Sequence, residues 1–282
     1  MPTASTLNSD YDLVSTASSL ITGSEPTPTD SPLFQDLFHQ VFGALPRQGP
    51  GNRACAARAL ALCAGLPAHP EVLDLGCGLG GQTLHLAALT AGRILAIDRH
   101  APFIDQLSAT LAERGLSERV SARVGDLADL RLPSANFDLV WSEGALYNLG
   151  IPRALAVCRP LLREGGYLAF TDAVWRVADP PAAAREVFAA EYPTMGRVEE
   201  VIALIGAAGF KLMGHFTLPD EAWWEDFYTP MEHQVQALRK RYRDDPAALA
   251  MLAEIGQEPD FHRRYGDCYA YEFFVARRST NP

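Results

Sequence analysis

The stretch that decides the fold is Asp74-Leu75-Gly76-Cys77-Gly78-Leu79-Gly80-Gly81. It follows the apolar residues Val72-Leu73 and precedes leucines at helical spacing, so the pattern predicts a buried strand, a tight turn and a helix. Glycines permit the positive φ angles of such a turn and let a ligand approach the backbone closely. The first N–H groups of the helix would then face that ligand.

Segments of strand and helix character alternate beyond this turn. Such alternation is typical of a parallel, doubly wound sheet with helices on both faces. The region at 220–263 differs, since it is helical and rich in aromatic residues. The further strands are predicted at 94–97, 120–124, 137–141, 167–171, 210–218 and 265–277.

Glycines and an acid near the turn leave a dinucleotide cofactor open. Gly76, Gly78 and Gly81 satisfy the Gly-x-Gly-x-x-Gly pattern of dinucleotide-binding turns. Asp98 ends the next strand, where an acid can bind ribose hydroxyls. An oxidoreductase that uses NAD or NADP is therefore one interpretation.

Two other acids favour S-adenosylmethionine (SAM) instead. Asp74 lies in the strand just before the glycines, where a carboxylate would repel a pyrophosphate but suits the cationic amino-acid end of SAM. Gly125-Asp126 ends the third strand. A carboxylate there can accept from the amino group of adenine, beside the backbone N–H of Leu127.

The same residues resemble the motifs of the class I SAM-dependent methyltransferases. The segment 74–80 resembles their first motif, Asp98 their ribose-binding acid and Gly125-Asp126 their adenine-side acid. More narrowly, Trp141-Ser142-Glu143-Gly144-Ala145-Leu146-Tyr147-Asn148-Leu149-Gly150 and Arg47-Gln48-Gly49-Pro50-Gly51 are similar to a subgroup of stand-alone bacterial enzymes of uncertain substrate. The resemblance implies that both segments line the cofactor or acceptor pocket. The expected cofactor-binding residues are Arg47, Gly49, Asp74, Gly76, Cys77, Gly78, Gln82, Asp98, Arg99, Gly125, Asp126, Leu127, Ser142 and Glu143.

The resemblance, which covers about residues 47–278, also implies a domain organisation. It implies a Rossmann-like α/β fold with a mostly parallel seven-stranded sheet, an antiparallel last strand and a C-terminal helical, aromatic-rich insertion. Residues 1–31, rich in Ser, Thr and Pro, are expected to be mobile. Residues 32–66 should form helices that cover the cofactor site. Residues 67–282 should form the SAM-binding domain, with an acceptor lid at about 174–263.

Candidate catalytic residues follow the fourth and fifth strands, because ligands of such sheets bind at the carboxyl ends of the strands. Glu143 is the first candidate for a general base, Tyr147 would orient or assist the acceptor, and Asp172 is a second carboxylate. The alternative is that Glu143 only caps a short helix at 144–147.

The expected lid combines aromatic and acidic side chains, such as Trp175, Glu191, Tyr192 and Trp223. This combination favours a cationic or amine-bearing small molecule as acceptor. The alternative is that the aromatic residues only form core. His215 lies in an apolar run and is expected to be a hydrogen-bonded core residue.

The composition narrows the function classes. The 282-residue chain has a formal net charge of −10, which disfavours nucleic acid as a partner because phosphates are repelled. The Asn/Asp-Pro-Pro-Tyr motif of base-modifying methyltransferases is absent after the fourth strand. A small-molecule methyltransferase is therefore favoured over an RNA methyltransferase and over a SAM-binding protein without catalysis.

Scattered cysteines and the lack of a signal-peptide pattern favour a cytoplasmic protein. We expect it to be a monomer or a homodimer. No apolar run is long enough to span a bilayer, so no membrane partner is expected. No cluster of His, Cys, Asp and Glu has the spacing of metal ligands, and no metal is expected. SAM is the expected cofactor, with S-adenosylhomocysteine as its product.

Overall fold

The computed structural model describes residues 31–279, so the expectation of a mobile segment at 1–31 lies outside the described residues, apart from Ser31. The Ser31 hydroxyl accepts a hydrogen bond from the N–H of Phe34 (3.0 Å) and caps the first helix. Asn52 caps the second helix through the N–H of Cys55 (2.9 Å). Both helices therefore begin where a short polar side chain precedes an apolar pattern.

The fold is built on one seven-stranded sheet. Its strands are β1 (Glu71–Leu75), β2 (Arg93–Asp98), β3 (Val120–Val124), β4 (Phe137–Glu143), β5 (Leu162–Trp175), β6 (Phe210–Thr217) and β7 (Tyr269–Arg278). They lie in the order β3-β2-β1-β4-β5-β7-β6, and β7 is antiparallel to both of its neighbours while the pairs from β3 to β5 are parallel. The predicted Rossmann-like sheet with an antiparallel last strand is confirmed.

Helices connect the strands and also form a layer of their own. The α-helices of the described residues are α1 (Pro32–Phe42), α2 (Arg53–Ala61), α3 (Gly81–Leu89), α4 (Ala101–Glu113), α5 (Ile151–Leu161), α6 (Ala182–Glu191), α7 (Val198–Ala207), α8 (Glu221–Trp223), α9 (Thr229–Arg241), α10 (Pro246–Ile255) and α11 (Gln257–Tyr265). A 3₁₀ turn, Leu146–Leu149, follows β4, and a π-helical turn, Trp224–Tyr228, leads into α9. No helix within residues 31–279 is both long and apolar enough to cross a membrane.

Apolar side chains fill the space on both faces of the sheet. On one face, α2, α3 and α4 pack over Trp141 and Phe273, which are fully buried. On the other face, α5 and α7 pack over Leu73, Phe170 and Phe274. Strands buried on both faces read as continuous apolar runs, which explains why β1 and β4 are visible in the sequence.

A third apolar cluster joins the beginning of the described chain to its later helices. In it α1 packs against α9 and α10, together with Tyr192, Trp223 and Tyr228. The expected lid at 174–263 is therefore divided. Its α6 and the helices of 221–265 belong to this cluster or to the cavity described below, whereas α7 and β6 are parts of the sheet and its covering layer.

Two predictions about the last strands need correction. The prediction that His215 is a core residue is wrong: β6 is an edge strand, and the His215 side chain is 39% exposed, although its Nδ1 lies 2.5 Å from a Glu272 carboxylate oxygen. The strand predicted from Tyr265 begins at Tyr269, because Tyr265 ends α11.

Candidate functional site

The glycine turn after β1 is held tightly against the end of β2. Gly76 and Gly78 have φ angles of +69° and +53°, a region that favours glycine. The N–H groups of Gly76 and Cys77 both donate to the carbonyl of Ile97 (2.8 and 3.1 Å). A Cβ at Gly76 would lie 2.3 Å from the Cβ of Ala145, so glycine is also required by the close approach of the loop after β4.

Asp98, the expected ribose-binding acid, lies at this turn. Its two carboxylate oxygens accept from the backbone N–H groups of Gly78 and His100, each at 2.9 Å, and only 5% of the residue is exposed. The His100 ring stacks on that of His39 from α1, with centroids 4.6 Å apart. Arg99 is half-buried beside them. Helix α1 therefore reaches the edge of the sheet where the expected cofactor residues lie.

Asp74 is fully buried and bonded to helix α3. It accepts from the Thr83 hydroxyl (2.6 Å) and from the Gln82 amide (3.4 Å), which also donates to the Gly76 carbonyl (3.2 Å). Burial raises the pKa of Asp74 to about 7, against the lowering effect of the Thr83 hydrogen bond. The structure thus brings Asp74 and Gln82, two of the expected cofactor residues, into contact, and gives Asp74 a second partner on α3, Thr83, that the sequence analysis did not identify.

Arg47 and Glu143 form a buried ion pair between the loop at 47–51 and the end of β4. The Arg47 Nη2 lies 2.8 Å from the Glu143 Oε2 and also donates to the Pro50 carbonyl (3.2 Å), and Arg47 is 4% exposed. The Arg47 Nε donates to the Gly49 carbonyl (3.3 Å). The other Glu143 oxygen accepts from the Trp141 indole (2.8 Å). The Arg47 Nη1 is buried and has no hydrogen-bond partner within residues 31–279.

This geometry bears on both interpretations of Glu143. Both of its oxygens are engaged, one by Arg47 and one by the Trp141 indole, and a role of Glu143 as general base stays a prediction. Glu143 does not cap the following turn, because the N–H of Gly144 donates to the Thr171 hydroxyl (2.9 Å). Glu143 instead fixes the 47–51 loop to the sheet.

The expected adenine side lies at the ends of β3 and β4. Asp126 is exposed, and its carboxylate accepts from the N–H of Ala128 (2.7 Å), so it forms a turn as well as facing solvent. The Gly125 N–H donates to the Asp98 carbonyl (2.9 Å). Leu127 packs on the core, and the buried Ser142 hydroxyl donates to the carbonyl that ends β1, at Leu75 (2.8 Å). The carboxyl ends of β1 to β4, which carry expected cofactor residues, therefore meet at one edge of the sheet, which we call the strand-end edge.

An aromatic cavity of about 280 Å³ lies next to this edge. Pro50, Tyr147 and Tyr271 line it, and they tie it to the strand ends: Pro50 belongs to the 47–51 loop, and Tyr271 lies 3.5 Å from where a Cβ on Gly144 would be. The other aromatic residues that line the cavity are Phe188, Tyr192, Trp223, Tyr228, Phe261, Tyr265 and Tyr269.

Acidic side chains line the same cavity. The carboxylate of Glu258 accepts from the Tyr228 hydroxyl (3.1 Å). Burial raises the pKa of Glu258 to about 7, and burial together with the charge of Glu258 raises the pKa of Glu191 to about 8. Burial and these acids also raise the pKa of Tyr147 to about 12. The phenol groups of the cavity are thus neutral near pH 7.

Asp172 and Tyr192 form a pair beside the cavity. Asp172 is fully buried in β5, and its Oδ2 accepts from the Tyr192 hydroxyl (3.0 Å), while its Oδ1 has no partner within residues 31–279. Burial raises the pKa of Asp172 to about 7. The Tyr192 ring lies 5.3 Å from that of Tyr147, so the structure brings the two predicted residues Asp172 and Tyr147 to one place. Sequence reasoning placed Tyr192 only in the lid, and nothing in its spacing indicates the bond to Asp172.

The comparison with known sequences identifies a domain. Residues 72–166 match the family model of a methyltransferase domain. Over 119 residues the chain is 35% identical to nocamycin O-methyltransferase of Saccharothrix syringae. The aligned region covers 41% of this chain and 40% of that protein. The chain spans 20% to 62% of the length of the curated relatives that it matches.

Solved structures share the whole fold. A SAM-dependent methyltransferase from Geobacter sulfurreducens in complex with S-adenosyl-L-homocysteine superposes with a TM-score of 0.73 at 19% identity, covering 86% of this chain and 97% of that one. The [4+2]-cyclase SpnF superposes with a TM-score of 0.68 at 22% identity, covering 88% and 93%. A methyltransferase and a cyclase share the fold, so the fold by itself does not determine the reaction. The chain has the Rossmann-like fold of SAM-dependent methyltransferases and carries the sequence of a methyltransferase domain over residues 72–166.

Proposed function

We propose that this protein is a SAM-dependent methyltransferase that methylates a small molecule. The observation that carries the proposal is the position of the aromatic cavity, whose lining residues Pro50, Tyr147 and Tyr271 also adjoin the strand-end edge. A methyl donor at that edge would face an acceptor in the cavity. The family match and the SAM-dependent neighbour of the same fold support the cofactor.

The residues at the edge fit the groups of SAM. The buried Arg47 Nη1 has no partner within the described chain, and an N–H there suits the carboxylate at the amino-acid end of the cofactor. Asp98 would hold the ribose hydroxyls, and the exposed Asp126 would accept from the adenine amino group. When bound, SAM supplies a methyl group on a positively charged sulfur, which an acceptor can displace in line.

Proton removal from the acceptor falls to Asp172 and Tyr192 rather than to Glu143. Tyr192 lines the cavity, and its hydroxyl donates to the buried Asp172 carboxylate. A proton released by the acceptor would move to the Tyr192 oxygen while the Tyr192 proton passes to Asp172. Asp172 suits this step because burial raises its pKa to about 7, close to the pH at which a general base works best. Tyr147, whose ring lies 5.3 Å from that of Tyr192, would orient the acceptor.

Binding of S-adenosylhomocysteine and of NAD, measured by calorimetric titration, tests the cofactor. We expect micromolar affinity for S-adenosylhomocysteine, a loss of at least about tenfold in Asp98→Ala, and no binding of NAD. Asp105→Ala is the matched control, because Asp105 is exposed on α4. Binding of NAD by the wild type, with no binding of S-adenosylhomocysteine, would refute the proposal and make the glycine turn a dinucleotide site.

Turnover separates an enzyme from a protein that only binds SAM. Release of S-adenosylhomocysteine in the presence of a panel of small molecules is the measurement. A protein that binds the cofactor tightly but turns over no acceptor of a size that fits the cavity would be a SAM-binding protein without catalysis.

A further inference from the structure

We infer that the acceptor is a compact organic cation, an amine with an apolar body, held in the aromatic cavity between its tyrosine rings and the carboxylates of Glu191 and Glu258. The inference rests on the proposed function, because it names the substrate class of the same site. It is carried by the composition and charge of the cavity wall.

Nine of the eighteen residues that line the cavity are aromatic. Rings of Tyr, Trp and Phe attract cations through the negative charge above their faces, most strongly when the cation has left water. Tyr228 is buried, Tyr147 and Tyr271 are half-buried, and removal from water raises the pKa of each phenol, so they stay neutral hydroxyls and do not supply charge of their own. The wall therefore offers several aromatic faces to one small ligand.

Acidic residues outnumber basic residues in the wall of the cavity. The acidic residues in its wall are Glu191, Glu254, Glu258 and Asp260, and the basic residue in it is Arg264. Arg264 is an exposed residue of α11. Glu258 contacts a tyrosine of the wall, since the Tyr228 hydroxyl donates to it (3.1 Å). A ligand in the cavity thus meets more acidic groups than basic ones.

Two acids that line one largely apolar cavity are costly to keep ionised. The charge of Glu258 acts on Glu191 and makes its ionisation less favourable. A bound cation would relieve this repulsion and lower the cost of both charges. An anionic acceptor would add to the repulsion, and a neutral one would leave it unchanged.

The same geometry places the proton acceptor. Tyr192, bonded to Asp172, lines the cavity together with Glu191, its neighbour in the chain. An ammonium group held by Glu191 and Glu258 would therefore lie within the reach of Tyr192, which would take its proton before the neutral amine accepts the methyl group. The nitrogen loses one proton and gains one methyl group, so it ends with the positive charge that SAM gives up.

An isosteric pair of probes tests the inference on the full chain saturated with S-adenosylhomocysteine. Phenyltrimethylammonium carries a cationic nitrogen where tert-butylbenzene carries a neutral carbon, and neither can be methylated. We expect the cation to bind at least about tenfold more tightly than the neutral probe. In Glu258→Gln we expect this preference to fall by about fivefold or more, and in the control Glu113→Gln, an exposed residue at the end of α4, to remain.

The outcomes separate this inference from the proposed function. Binding of S-adenosylhomocysteine is measured in each sample, and its absence would remove the proposed function itself. If S-adenosylhomocysteine binds but the two probes bind equally, or neither binds at millimolar concentration, the acceptor is not a cation and the inference is overturned. Retained binding of S-adenosylhomocysteine in Glu258→Gln shows that the variant is folded.

Discussion

The strand-end edge and the aromatic cavity are built in opposite ways. At the edge, the polar groups are bonded to the chain itself: Asp98 to backbone N–H groups, Asp74 to Thr83, and Glu143 to Arg47. In the cavity, acids and tyrosines line a largely apolar space, and burial raises the pKa values of Glu191 and Glu258 in particular. The difference suggests a preorganised site for a common cofactor beside a site whose charge is completed by its particular substrate.

The largest effect is expected on the free energy of unfolding when the buried ion pair at the strand-end edge is broken. Arg47→Met removes the cation from a buried ion pair and leaves the Glu143 carboxylate without it, so the free energy of unfolding should fall by about 3–5 kcal/mol in urea denaturation. The double variant Arg47→Met/Glu143→Gln should recover part of this loss. Arg263→Met, which removes an ion pair at the surface, is the control and should change stability by no more than about 1 kcal/mol. If Arg47→Met and Arg263→Met lowered the free energy of unfolding equally, the buried ion pair would be no more important for stability than the exposed one.

The next effect concerns Asp172. Because Asp172 accepts a proton only when ionised, kcat/KM of the wild type should rise with pH up to about pH 7. Asp172→Asn should lower kcat/KM about a hundredfold and remove this limb of the pH profile. Tyr192→Phe should do the same if the proton passes through its hydroxyl, whereas Asp179→Asn, at an exposed position, should not. A profile unchanged in Asp172→Asn would return the assignment to another acid of the cavity.

A smaller effect is expected on the pH dependence of stability when Glu258, an acid of the cavity, is replaced. Burial raises the pKa of Glu258 to about 7, above its value in the unfolded chain, so the folded protein binds more protons between about pH 4.5 and pH 7. Protonated Glu258 therefore makes its whole contribution to the stability of the folded protein at low pH, and this contribution is lost as the pH rises through 7. Thermal unfolding from pH 5.5 to 8 should show a fall in Tm that is smaller by about 2–4 °C in Glu258→Gln. Asp74, Asp172 and Glu191 act in the same direction, so some slope should persist; an identical slope in the variant would show that Glu258 is not buried in its charged form.

The smallest effect should come from the exposed acid of the edge. Asp126→Ala should weaken binding of S-adenosylhomocysteine by only about three- to fivefold, because a solvent-exposed hydrogen bond contributes about 1 kcal/mol or less. Asp129→Ala, also exposed and three residues further on, should have no effect. A loss of a hundredfold in Asp126→Ala would mean that this side chain is enclosed when the ligand binds, and that the edge is less preorganised than its bonds indicate.

Much of the fold could be predicted from the sequence because its signals are local. The turn at 74–81 and the apolar strands are contiguous, and caps such as Asn52 act within a few residues. The prediction was less accurate for β5, which begins at Leu162 rather than Tyr167, because glycines at 165–166 read as a turn yet continue the strand across an irregular pairing with Phe137. Its far end extends to Trp175 because β7 pairs with it there.

The site was predictable only where its residues are close in sequence. Asp74, Gln82 and Asp98 lie around one turn, and the structure brings them together. Arg47 and Glu143 are both on the list of expected residues, but no spacing reveals that they pair, since the contact depends on how a distant loop docks on β4. The bond between Asp172 and Tyr192 depends in the same way on where α6 lies after the strand leaves the sheet.

The position of β7 in the sheet determines when the sheet can be completed during synthesis of the chain. Strand β7 follows the other six strands of the sheet in chain order, yet it lies between β5 and β6 and pairs with both. Until residues 269–278 leave the ribosome, β6 has no neighbour in the sheet, and β5 presents an unpaired edge from Tyr167 to Trp175. Exposed strand edges of this kind associate with other chains. A chain made only up to β6 would therefore expose strand edges, while the parallel half of the sheet can already have formed.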